Sequence, residues 1–359
     1  MKSLIVSCSF EIKDQKNLLN NRPDIDIYKD ILKVIPGSWL VDRTESVALP
    51  FRNVVLEENK IIEFPNQLSM DLLDCALTRA NDILSSQQLI YFLWSGGIDS
   101  TMALVSFIQA GAKTDQLVVV CNRDSIREYS NFYQNHILGN FKLVASEEFM
   151  QRIKFTGVDG IVLSCEQGDC MYGQDFGIDF FNLYGGNSLK QKPTRNVIVK
   201  FFEHHGMSNK SANCWYDIYM LTASKSPRAI ETVYDFSWWA TFCWRWQWAI
   251  EKVKLRTNIP VDIQTFFSSP QLQQWSINHR QSKITNLSDF KYDFKKLIFD
   301  YTKDQDYFDK KIKHPSATIY YAADSYVAID SEQNKIRAKD FRLLDYYQRD
   351  NFISDWLTN

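Results

Sequence analysis

Residues 95 to 101 read Ser-Gly-Gly-Ile-Asp-Ser-Thr, two adjacent glycines set among hydroxyls with one carboxylate. A glycine-rich loop that opens a helix points several backbone N–H groups at one spot, which makes an anion site. Gly96 and Gly97 let the backbone approach an oxygen-rich ligand and take dihedrals that a Cβ forbids. Ser95, Ser100 and Thr101 add hydroxyl donors. Asp99 repels a bare phosphate, so its presence points to an anion that arrives with Mg²⁺. Without a ligand, the same residues make an ordinary strand-to-helix turn.

These residues need rigid elements on either side. Ile90 to Trp94 is an apolar run with the length of a buried strand, and Asp99 to Ala112 reads as an apolar helix with Asp and Ser at its start. Upstream, Leu72, Leu73, Ala76, Ala80, Ile83 and Leu84 recur at helical spacing. Downstream, strands are expected at Gln116–Cys121, Phe141–Ala145 and Gly160–Ser164, with helices at Ser125–Leu138 and Glu147–Phe155. Strands alternating with helices of this length predict an α/β fold, a parallel sheet with helices on both faces. Such a sheet binds ligands beyond the carboxyl ends of its strands. The loop at 95–101 and the end of the Gly160–Ser164 strand therefore open on one crevice.

Ser95-Gly96-Gly97-Ile98-Asp99-Ser100 matches S-G-G-x-D-S, the pyrophosphate-binding loop of the N-type ATP pyrophosphatases. Five fixed residues at average usage arise by chance in a chain this long on the order of once in a thousand. After the Gly160–Ser164 strand, Ser164-Cys165-Glu166-Gln167-Gly168-Asp169-Cys170-Met171-Tyr172-Gly173 resembles the S-G-E-G-x-D-E-L-F-G segment of asparagine synthetases. Ser164, Glu166, Asp169 and Gly173 keep that pattern, and Tyr172 stands for Phe. Cys165 and Gln167 replace glycines, Cys170 replaces a glutamate and Met171 a leucine. Lys311-Ile312-Lys313 resembles the family's R-x-K, and Pro260-Val261-Asp262-Ile263 is loosely like its P-F-L-D. The resemblance covers roughly residues 68 to 315.

The resemblance implies a Rossmann-like ATP pyrophosphatase (HUP) fold and a carbon–nitrogen ligase that forms AMP and pyrophosphate. ATP and Mg²⁺ are then the implied cofactors, with the metal on Asp99 and Asp169. Glu166 would assist proton removal from the attacking nitrogen, and Lys313 would stabilise charge on the adenylate and the tetrahedral intermediate. The adenine would lie at the end of the second strand, at Val120 and Cys121. The substrate would be a small-molecule or peptide carboxylate. The family's glutamine-using members begin with a Cys directly after the initiator Met; here position 2 is Lys. Nitrogen would then come from ammonia, an amine, or a partner amidase. Two other classes share some of these features: a loop enzyme modifying a nucleobase or tRNA, and a nucleotide-binding protein that has lost turnover.

The rest of the chain sets bounds. Its 359 residues suffice for two domains, and 45% hydrophobic with 23% charged residues is ordinary globular composition. A balance of 41 basic and 43 acidic residues gives no electrostatic footprint for nucleic acid. Seven cysteines without C-x-x-C spacing suggest reduced thiols, and no apolar run reaches membrane-spanning length, so a cytoplasmic protein is expected. The five histidines show no zinc spacing. The expected organisation is a small β-rich N-terminal segment (1–66) with strands at Ser46–Leu49 and Asn53–Glu57, an α/β core (67–190), a helical region (191–315) and a C-terminal extension (316–359) with strands at Ala317–Tyr321 and Tyr326–Ile329. Trp238, Trp239, Trp244, Trp246 and Trp248 crowd one stretch; a buried helix is favoured there over a base-stacking platform, since basic residues are sparse.

Overall fold

The computed structural model describes residues 42–46, 61, 70–246, 262–279, 284 and 286–311. The expected strands at Ser46–Leu49, Asn53–Glu57, Ala317–Tyr321 and Tyr326–Ile329 lie outside those residues or reach them only at Ser46, and Lys313 and Trp248 lie outside them too. Two compact units divide the described residues. One holds 70–172, 262–279, 284 and 286–311, and the other holds 42–46, 61 and 173–246.

The first unit is built on five parallel strands: β1 (Ile90–Leu93), β2 (Leu117–Cys121), β3 (Lys142–Ala145), β4 (Ile161–Ser164) and β5 (Asp262–Thr265). Their order across the sheet is β3-β2-β1-β4-β5. Phe92 faces Val119 on β2 and Leu163 on β4, so β1 is central. β2 and β4 are buried at every position, as parallel strands covered on both faces must be. The order reverses between β1 and β4, and crevices for ligands form at such switch points.

Helices α1 (Leu72–Ser85), α2 (Ile98–Gln109), α3 (Arg123–Glu128) and α4 (Ser146–Phe155) follow in the chain. Neighbouring side chains on a strand point to opposite faces. Phe92 meets Phe107 of α2 edge-on at 5.7 Å, while Tyr91 meets Phe149 of α4 at 4.9 Å. Helices therefore cover both faces, as expected. On the α4 side the core is Val118, Val120, Val144, Phe149, Ile153, Val162 and Ile263.

Two expectations change. The single helix expected over Ser125–Leu138 is three pieces: α3 starts two residues earlier, capped by Asn122, and the chain breaks at Tyr129 (φ −147°, ψ 73°) before a short turn and a π-helical turn at Tyr133–Ile137. Tyr129 leaves the helix to stack on Tyr307, ring centroids 3.8 Å apart. And Asp262–Thr265, which falls within the region 191–315 expected to be helical, is the edge strand β5, which pairs with β4 from Ile161↔Asp262 to Ser164↔Thr265.

The second unit carries helices α5 (Gln174–Tyr184), α6 (Arg195–His204), α7 (Asn209–Ala223) and α8 (Val233–Trp244). Every residue of α8 is buried. Trp238, Trp239, Trp244 and Trp246 are packed away, with Trp239 and Trp244 both donating their indole N–H to Thr222 Oγ1 at 3.2 Å. A helix buried on all sides needs no amphipathic stripe, which is why this one carries apolar residues all around, with the buried Asp235, Ser237 and Thr241 among them. The first unit closes with α9 (Pro270–Asn278), α10 (Tyr292–Thr302) and α11 (Gln305–Lys310).

Candidate functional site

At the end of β1, the Trp94 N–H donates to the Val120 carbonyl at 2.9 Å and holds the chain on the sheet for one more residue. The loop then turns at Gly96, φ 73°. A Cβ there would stand 2.1 Å from the Ser125 carbonyl oxygen, so the loop can close against α3 only with glycine. Gly97 is different. Its dihedrals (φ −74°, ψ 168°) suit any residue, and a Cβ would meet only Ser95 Oγ at 3.2 Å. The expectation that both glycines need forbidden dihedrals is corrected: Gly96 does, and Gly97 serves as the N-cap of α2 without a capping side chain. The N–H groups of the first turn of α2 thus receive no acceptor from the cap.

The hydroxyls brace this loop. Ser95 and Ser100 Oγ lie 2.9 Å apart, Ser95 N donates to Ser100 Oγ at 3.1 Å, and Gly97 N donates to Ser95 Oγ at 3.3 Å. Ser95 is exposed and Ser100 buried. Thr101, expected as a further donor to a ligand, is fully buried and accepts the Trp94 indole N–H at 3.2 Å. It and the buried Ile98 form the wall behind the loop.

From the adjacent strand β4 the chain enters a 3₁₀ turn, Glu166–Asp169. This turn lies flush against Asp99: a Cβ on Gly168 would come within 2.3 Å of Asp99 Cγ. Between Asp99 and Asp169 sits the ammonium of Lys291, 2.5 Å from both Asp99 oxygens and also hydrogen-bonded to Asp169 Oδ1. Its side chain is 2% exposed, against 19% for Asp99 and 13% for Asp169. Lys291 is itself in the left-handed region (φ 56°, ψ 34°) at the N-cap of α10. A non-glycine residue in that conformation is uncommon and held by its surroundings. Burial, and then the charges of Asp99 and Glu166, push the Cys165 thiol well above its usual range. The carboxylates of Asp99 and Glu166 thus both lie near the Cys165 sulfur, where the two strands deliver their loops.

The two carboxylates converge on a cation, which is the chemistry that Mg²⁺ also asks for. No group of three or more His, Cys, Asp or Glu side chains is gathered for a metal among the described residues. An ion here would take Asp99 and Asp169 and complete its shell with phosphate oxygens and water, as Mg²⁺ commonly does.

The sequence-predicted residues therefore meet in part. Ser95 to Ser100, Asp169 and Glu166 come together at the carboxyl ends of β1 and β4. Val120 and Cys121 lie on the neighbouring β2, but both side chains are buried, and burial first, then the charge of Glu147, pushes the Cys121 thiol up to about 12. Neither offers a side chain to a base. Lys291 was not singled out from sequence. Its signal, a lysine ahead of an amphipathic helix, is too common to notice without the fold. Lys295, one turn later, is 2% exposed and donates to the carbonyls of Ser288, Phe308 and Lys311.

No protein-family model matches the chain, and comparison with curated proteins finds no match. Among the described residues, no helix is long and apolar enough to cross a membrane.

Proposed function

We propose that the chain is an ATP-dependent ligase of asparagine-synthetase type, built on an ATP pyrophosphatase (HUP-like) fold, that joins a carboxylate to a nitrogen nucleophile. One observation carries this reading: the glycine loop after β1 and the acidic turn after β4 bring Asp99 and Asp169 around a single cation at the switch point of the sheet. In the proposed reaction a substrate carboxylate oxygen attacks the α-phosphorus of ATP. The bond from that phosphorus to the β-bridging oxygen breaks, and pyrophosphate leaves. The nitrogen then attacks the acyl carbon, loses a proton, and displaces AMP.

The roles follow from charge. The first-turn N–H groups of α2 and the Gly96–Gly97 backbone cradle the leaving phosphates. Mg²⁺, held by Asp99 and Asp169, would offset charge on the pyrophosphate. Lys291 occupies that place in the structure, so an ion there would need its ammonium to move off the carboxylates and onto the phosphate oxygens, to which it is suited as a compact point charge. Glu166, on the acidic turn, is the candidate for taking the proton from the nitrogen, and Lys313 is the residue the resemblance assigns to the tetrahedral intermediate. Aspartate with ammonia is the simplest substrate pair; other small-molecule or peptide carboxylates, and amines or a partner amidase as nitrogen source, belong to the same chemistry. A cytoplasmic setting goes with the ATP requirement. The test is pyrophosphate release: purified protein with ATP, Mg²⁺, aspartate and ammonium, or with a panel of acids and amines, should form pyrophosphate, and Asp99→Ala should not.

A second reading has an observation in its favour. Lys291 already fills the space between the carboxylates, and Cys170 stands buried where the family has a glutamate. Nucleotide binding with no turnover across the panel would support a nucleotide-binding protein without catalysis.

A further inference from the structure

Lys291 is a long, flexible side chain with rotamer entropy to lose on being fixed. Its own backbone sits outside the helix it caps, at φ 56°. Something must hold the first turn of α10 against the acidic turn for the ammonium to stay between Asp99 and Asp169. Asp293, two residues on in that first turn, is the side chain placed to do so. Its Oδ2 accepts the Tyr172 hydroxyl at 3.4 Å and lies 3.0 Å from His279 Nε2. Tyr172 is three residues beyond Asp169 and closes the acidic turn. His279 follows α9 and stacks on Trp275 at 4.4 Å. Ser276 of α9 also donates to the Met171 carbonyl at 2.7 Å, tying the same two segments together.

One carboxylate therefore receives groups from the acidic turn and from the end of α9, while belonging to the helix start that presents Lys291. Burial pushes the Asp293 carboxyl up, but the hydrogen bond and charge of His279 and the Tyr172 hydroxyl outweigh it, leaving a net downward shift. The charged form is the one that the surroundings favour.

We propose that Asp293 is a positioning residue: through Tyr172 and His279 it locks the first turn of α10 to the acidic turn and so aims Lys291 between Asp99 and Asp169. The inference rests on the ligase reading only in giving Lys291 a phosphate to meet. The alternative is that ring packing of Tyr172 on Phe294, edge-on at 4.8 Å, holds the helix without the carboxylate.

Trace labelling of amines separates the two. The full-length protein and its Asp293→Asn and Tyr172→Phe variants are treated with limiting acetic anhydride, and each lysine is quantified by mass spectrometry. Lys295, buried on the same helix and bonded to backbone carbonyls, is the internal control. Labelling of Lys291 should rise about tenfold in Asp293→Asn, the size of one lost charge-assisted hydrogen bond, and less in Tyr172→Phe, with Lys295 unchanged in both. Unchanged Lys291 labelling, or a rise shared equally by Lys295, overturns the proposal, since the first means packing suffices and the second means the helix has loosened. If Asp293→Asn fails to fold, Tyr172→Phe decides by the same criterion. No substrate is involved, so a wild-type protein that forms no pyrophosphate would sink the ligase reading and leave this result standing.

Discussion

Replacing Lys291 with Met removes the ammonium and keeps most of the volume. The carboxylates of Asp99 and Asp169 both contact that ammonium, so their nearest oxygens face each other across it. Two unit charges facing each other at about 4 Å repel by roughly 4 kcal/mol at an effective dielectric of about 20. Both carboxylates keep some exposure, 19% and 13%, so water relieves part of this. Breaking a buried pair by removing one partner costs about 3–5 kcal/mol, and partial solvation puts this case at the low end, about 3 kcal/mol at pH 7. At roughly 2 °C per kcal/mol, melting should fall by about 6 °C. The pH dependence fixes the cause. A carboxylate beside a like charge has its folded pKa raised above the unfolded value. The penalty is then fully present above that raised pKa and disappears as pH falls through it and one carboxylate takes a proton. Urea unfolding of wild type and Lys291→Met at pH 7 and pH 5 should show a gap that narrows on acidification. Adding Asp99→Asn to Lys291→Met should recover much of the loss at pH 7. A gap below about 0.5 kcal/mol at pH 7, or one that widens in acid, would refute the reasoning.

Four further outcomes follow from the same geometry. Gly96→Ala should cost about 3 kcal/mol in unfolding free energy because its Cβ meets the Ser125 carbonyl at 2.1 Å, while Gly97→Ala should stay within about 1 kcal/mol; a reversed order in thermal melts would contradict the loop geometry. Lys295→Met should destabilise by about 2 kcal/mol, since it leaves the carbonyls of Ser288, Phe308 and Lys311 without their shared donor. Fluorescence from Trp238 and Trp239, isolated by Trp→Phe background substitutions, should resist iodide quenching and ignore added ATP, because both rings are fully buried; quenching by nucleotide would revive the stacking platform. Burial, with nearby carboxylates adding to it, pushes the Cys75 thiol up to about 11 and that of Cys121 up to about 12. The Cys214 thiol is also pushed up, by burial and then the charge of Asp217, but it alone among the described cysteines is not buried, so a thiol reagent at pH 8 should reach it first, as mass spectrometry of the labelled peptides would show.

Much of the first unit was legible because its signals are local. β1, α2 and the loop between them are written in one run from Ile90 to Gln109, where an apolar strand, a glycine turn and a helix start follow one another without interruption. β2 and β4 announce themselves as short runs of Val, Ile and Leu, the mark of strands covered on both faces. What escaped notice depends on partners far away in the chain. Tyr129 leaves its helix for Tyr307, and β5 is recognisable as a strand only through its pairing with β4. The same holds at the site. Asp99 and Asp169 stand on motifs that can be read, but the cation between them comes from position 291 and its support from 279 and 293, none of which carries a local pattern. Gly168 was visible only as a variable position, although Asp99 packs directly on its Cα.

The most direct test follows the products of ATP labelled at the α-phosphorus, incubated with the wild-type protein, Mg²⁺ and the panel of acids and amines. Label appearing in AMP, with an equal amount of pyrophosphate and loss of both in Asp99→Ala, is the predicted result. Label found in ADP would contradict the account, as would ATP left intact with every acid tried, because the attack on the innermost phosphorus is what all the assigned roles serve.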